Sequence, residues 1–139
     1  MNTRLLKQIN KAFTLFENLL TLFVISFLAI SLSGTVQTAF RSVQEEIFLW
    51  EFEAIYKDSQ KLAASSHQKV NLAIGGQEVT NGYQTVQVPK KLEVLEEKTI
   101  TFEENGGNSS LTKIRFRLSR KTVTYQLYIG SGRYKKTEE

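Results

Sequence analysis

The chain has 139 residues, 41% hydrophobic and 23% charged, with a formal net charge of +4 and a mean hydropathy of -0.24. Those figures fit one domain plus at most one appended segment, and exclude wholesale disorder and a polytopic membrane protein. There is no Cys and a single His, His67, which excludes a disulfide framework and a zinc–thiolate site and leaves little for His-based acid–base chemistry. In chain order, residues 1–12 carry Arg4, Lys7 and Lys11 and no acid. After Glu17, no charged residue occurs over residues 18–40. As a helix, residues 13–35 span about 35 Å, enough to cross a hydrocarbon core of about 30 Å. The cationic flank lies on the N-terminal side, so residues 1–12 are expected in the cytoplasm and everything beyond about Arg41 outside the membrane. The residues alone leave three readings open. They are a cleaved signal peptide with Ser31 and Ser33 near the cut, an uncleaved signal anchor, or a segment that makes use of Glu17.

The succession Lys11, Ala12, Phe13, Thr14, Leu15, Phe16, Glu17 resembles the processing site of type IV pilins and pseudopilins. That family shows a short basic leader, a small residue, then Phe-Thr-Leu-x-Glu running into a hydrophobic helix. Ala12 stands where the family usually has glycine. The resemblance implies that a prepilin peptidase cuts between Ala12 and Phe13. It also implies that the new amine of Phe13 is N-methylated and that the apolar helix is retained. Glu17 would be the assembly glutamate, paired with the Phe13 amine of an adjacent subunit, because an isolated carboxylate in apolar surroundings is costly. Residues 13–17, with Val24, Ile25, Ser26, Phe27 and Leu28, look most like the minor pilins of the Gram-positive competence pilus. This implies a non-enzymatic filament subunit for DNA uptake in natural transformation, with no cofactor. Its partners would be the prepilin peptidase, the major competence pilin, other minor pilins and DNA. It would sit in the membrane before assembly and at the cell surface afterwards. The alternatives are a pseudopilin of a type II secretion system, a minor pilin of an adhesive pilus, or a signal-anchored extracellular binding domain.

The helix is expected to continue past the apolar segment. Val36, Phe40, Val43, Ile47, Trp50 and Ala54 recur at spacings of three and four, with Phe48, Phe52, Ile55 and Leu62 widening the stripe. No Pro or Gly interrupts residues 35–66. One helix over residues 13–64 is therefore expected, membrane-spanning over 13–35 and the spine of the head over 36–64. Trp50 is read as core. Gly34 is a soft point, since Gly in a helix is about 1 kcal/mol worse than Ala, or an ordinary small residue.

Shorter alternating runs follow over residues 69–130. Val70, Leu72 and Ile74 alternate, and Asn81-Gly82 signals a hairpin between residues 77–80 and 83–88, which Pro89 ends. Residues 99–103 form a further strand, and residues 105–108 a loop. Residues 112–118 place Ile114, Phe116 and Leu118 on one face and Lys113, Arg115 and Arg117 on the other; Val123, Tyr125, Leu127 and Ile129 face inward again. The expected fold is α+β, a long helix whose Val43/Ile47/Trp50/Ala54 stripe packs on a small antiparallel sheet, over head residues 36–139. Residues 133–139 read as a charged, mobile tail.

No catalytic or metal-ligating set emerges. Gly75-Gly76 and Gly106-Gly107 read as turns, His67 as a solvated or capping residue, and Glu96-Glu97 and Glu103-Glu104 as solvated charges. The most distinctive surface is basic. Lys113, Arg115, Arg117, Arg120 and Lys121 fall in a stretch, residues 113–136, that contains no acid. This face is read as a contact for DNA phosphates or for a partner pilin.

Overall fold

The computed structural model describes residues 2–139, with side chains from Phe13 onward; the expected leader, residues 1–12 including Ala12, lies outside the residues whose side chains are described. The chain divides into two units, Met1–Arg41 and Ser42–Glu139. A single helix, α1 (Asn2–Ser66), contributes to both. Proline is absent from its whole length. It passes through Gly34 without a break, and nothing lies within 4 Å of where a Cβ would stand there.

In the first unit every side chain from residue 13 to residue 37 is exposed. The polar groups on this apolar rod are largely self-satisfied. The Thr21 hydroxyl donates to the Glu17 carbonyl at 2.8 Å, and the Thr38 hydroxyl to the Gly34 carbonyl at 3.0 Å. Such bonds remove the penalty of a bare hydroxyl in hydrocarbon.

In the second unit, the remainder of α1 packs on eight strands: β1 (Val70–Ile74), β2 (Glu78–Thr80), β3 (Thr85–Gln87), β4 (Glu93–Val94), β5 (Lys98–Phe102), β6 (Lys113–Arg117), β7 (Thr122–Leu127) and β8 (Tyr134–Glu138). They form two four-stranded antiparallel sheets rather than the single sheet expected, in the orders β3-β2-β1-β5 and β4-β6-β7-β8. The layout is α+β and pilin-like. His67 closes α1 with a φ of 52°, the left-handed cap position.

The buried stripe of α1 is not the expected one. Phe48, Leu49, Phe52, Ile55, Tyr56 and Ala63 are all within 2% of full burial, whereas Trp50 is 67% and Val43 56% exposed. Ile47 and Ala54 are exposed with them. Two residues along a helix is a rotation of about 200°, so the two stripes lie on opposite faces. Both have the helical period. The buried one also carries Glu45 and Ser59, polar residues that disguised it in the sequence.

The sheets meet this stripe with alternating side chains. Val70, Leu72, Ile74, Ile100 and Phe102 come from the first sheet, and Ile114, Phe116, Val123, Tyr125 and Leu127 from the second. Phe52 stands edge-on to Phe116 at 4.8 Å and tilted against Tyr125 at 5.0 Å; Tyr56 contacts Phe102 and Tyr134 at 5.0 and 5.2 Å. Two further expectations are corrected. Ile129 is 62% exposed, because β7 ends at Leu127. Residues 134–138, expected as a mobile tail, form β8, in register with β7 from Val123↔Glu138 to Leu127↔Tyr134.

Polar side chains fix the helix to the sheets. The buried Glu45 carboxylate accepts from the backbone N–H of Ser119 at 3.0 Å and from its hydroxyl, gripping the β6–β7 turn. Asn81 donates to Ser59 at 2.9 Å and accepts from the N–H groups of Tyr83 and Gln84, locking the β2–β3 turn to the helix. The Tyr125 hydroxyl donates to Glu53 at 2.9 Å, and Lys136 pairs with the same carboxylate at 3.2 Å. Burial alone would raise the Glu53 pKa, but these two partners outweigh it and hold the group below the ordinary 4.5.

The same cluster makes the head sensitive to alkali. Burial, then the Tyr134 hydroxyl nearby, pushes Tyr56 up to about 12; burial, then Glu53, pushes Tyr134 up to about 12. Burial and the bond to Glu53 drive Tyr125 higher still. An unfolded tyrosine ionises near 10.0, so between these values the folded state holds protons the unfolded state has lost. The stabilisation is complete below pH 10 and is lost as pH rises through about 12. Circular dichroism and tyrosine absorbance should therefore change together over that window. Ionisation of all the tyrosines near pH 10 with the ellipticity unchanged would contradict this.

Candidate assembly and surface-contact sites

The residues expected to direct assembly sit at the start of the described side chains. Phe13 is 69% exposed, and Leu15 and Phe16 nearly as much. Glu17 is exposed beside them, and among the described residues it forms no ion pair. A lone carboxylate at the edge of an uninterrupted apolar surface is a group whose partner must come from elsewhere or from water. Among the described residues, the helix over Phe13–Ser66 contains a segment long and apolar enough to cross a membrane.

In the second unit the exposed face of α1 carries Val43, Ile47 and Trp50. These apolar side chains recur at spacings of four and three and stay largely exposed to solvent.

The basic residues are brought together only in part. Alternation sets Lys113, Arg115 and Arg117 on the outer face of the second sheet. Arg120 is exposed in the β6–β7 turn, while Lys121 turns back to α1, 2.7 Å from Glu46 and 2.9 Å from Glu138. Arg115 pairs with Glu96, and Arg117 with Glu93 at 2.8 Å. The stretch without acids is therefore not acid-free in space: β4, its flank, α1 and β8 each bring carboxylates to it. Their distance in sequence hid this pairing. Among the described residues there is no group of three or more His, Cys, Asp or Glu that could hold a metal ion.

Among curated proteins, the chain is similar to Competence protein ComGD of Streptococcus pneumoniae (strain ATCC BAA-255 / R6), with 44% identity over 139 residues, covering 100% of this chain and 87% of that protein. The chain belongs to the ComGD family of competence pilins. No family model matches it, and no solved structure matches it. As a ComGD-like minor pilin, it combines a membrane-anchoring helix with a small α+β head, and the match extends over the whole chain, the apolar helix and both sheets included.

Proposed function

We propose that this competence pilin is a non-enzymatic structural subunit, inserted in the cell membrane with residues 1–12 in the cytoplasm. A prepilin peptidase cuts it between Ala12 and Phe13. It then joins the major and other minor pilins in a surface filament that serves DNA uptake. One observation carries this reading: Glu17 is the only charge on a helix surface whose side chains are exposed throughout residues 13–37. Lipid can cover the apolar side chains, but it offers the carboxylate no cation at depth. Transfer into a filament replaces lipid with neighbouring helices and gives Glu17 the Phe13 amine of an adjacent subunit. The Val43/Ile47/Trp50 strip is further surface for neighbours to bury. The small side chain of Ala12 suits a peptidase that must close around the bond.

The experiment is processing in cells that contain the peptidase. Ala12→Gly should mature at least as well as the natural sequence, and Ala12→Leu should accumulate the uncut precursor. Normal maturation of Ala12→Leu would show that the junction lies elsewhere.

A further inference from the structure

The outer face of the second sheet is ordered in rows by its register. Lys113 lies opposite Gln126, and Gln126 opposite Lys135; Arg115 lies opposite Thr124, and Thr124 opposite Thr137. A groove of about 420 Å³ runs over these rows, with Tyr128 and Glu139 also in its lining. The register sets Tyr128 beyond Gln126 at one end, and Glu139 opposite Thr122 at the other.

The cations of this face are not equivalent. Arg115 and Arg117 are already matched by Glu96 and Glu93. Lys113 and Lys135 form no ion pair among the described residues, and both are exposed. They flank Gln126 across two strand spacings, roughly 10 Å between Cα atoms. Their flexible stems allow both ammonium groups to converge over the row. Between them the floor offers an amide and hydroxyls. The one acid of the lining, Glu139, is at the far end.

We propose that this groove binds the phosphodiester backbone of nucleic acid. Lys113 and Lys135 meet phosphate oxygens, Gln126 and Thr124 donate hydrogen bonds between them, and Tyr128 packs on a sugar or base at the groove's end. Two uncompensated cations over a hydrogen-bonding floor suit an extended anion rich in acceptors, and not an apolar peptide or a cation. Lysines act here as point charges, so the contact is independent of sequence. The proposal rests on the competence reading and narrows its DNA contact to a row that includes Lys135, outside the residues the sequence singled out. It also removes Arg115 and Arg117 from the contact.

The test uses the full chain in a nonionic detergent, titrated over a salt series with labelled duplex DNA of mixed sequence and with inorganic polyphosphate. DNA should bind without sequence preference, and more tightly than polyphosphate. Lys113→Gln with Lys135→Gln should flatten the log–log salt slope by about 1.8, or about 0.9 for each lost phosphate contact. Lys90→Gln with Lys91→Gln, an equal change in charge at two exposed residues of the β3–β4 connection that do not line the groove, should leave the slope as it was. Three results would overturn the proposal. They are an unchanged slope in the Lys113/Lys135 variant, an equal loss in the Lys90/Lys91 variant, or polyphosphate bound as well as DNA. Co-isolation of the same variants with other pilins is the separate readout of assembly. Loss of co-isolation with the DNA slope intact would make the groove a pilin contact instead, whereas failure of the assembly reading would leave the titration interpretable.

Discussion

Replacing Glu17 by valine should leave membrane insertion intact and abolish incorporation into the filament. Insertion becomes easier, because an acid near the apolar segment is removed. Assembly becomes harder, because the amine of the neighbouring Phe13 is left without its carboxylate in apolar surroundings. Breaking a buried pair from one side costs about 3–5 kcal/mol, which corresponds to a fall of more than about a hundredfold in association. Transformation frequency and co-isolation with the major pilin should both collapse, while the amount of the variant in the membrane fraction stays normal. Normal transformation by this variant would remove Glu17 from the mechanism.

Phe52→Ala should be the most damaging single change in the head. Phe52 is 1% exposed and touches Phe116, Tyr125 and Tyr56, so truncation leaves a cavity where both faces of the core meet. The expected loss is about 3–5 kcal/mol, a large part of the stability of a domain this size. Trp50→Ala, two residues away, should move head stability by less than about 0.5 kcal/mol because its side chain is 67% exposed and outside the core cluster. Its effect should appear instead in co-isolation with other pilins. Thermal melts of the two variants read this contrast directly; equal destabilisation would mean that the helix is rotated from the face described.

Much of this architecture is legible in the residues. The junction at residues 12–17 stands out because several residue types are held at fixed spacing before a charge-free run. Strands β1, β5, β6 and β7 announce themselves by alternation, and Asn81-Gly82 marks the hairpin. The buried face of α1 was hidden because both of its faces are apolar, and the one that packs also carries Glu45 and Ser59, whose partners lie far along the chain. β8 was hidden because an edge strand needs few apolar residues: Tyr134 alone enters the core cluster, and Lys135, Lys136 and Glu138 read as tail. β4 is two residues long, too short to show a period. The basic face misled for a related reason. Some of the charges that look unopposed over residues 113–136 meet Glu93, Glu96, Glu46 and Glu53 only after folding, which leaves Lys113 and Lys135 as the unpaired cations lining the groove.

Assembly in this way requires that the apolar helix be kept, with only its end trimmed. The mature N-terminus tests this most directly, by intact mass and N-terminal sequencing of the chain isolated from competent cells. The mature chain should begin at Phe13, carry one added methyl group on its amine and retain the whole of residues 13–139. A chain that still begins at Met1, or one that begins near Gly34 with the apolar segment removed, would contradict it.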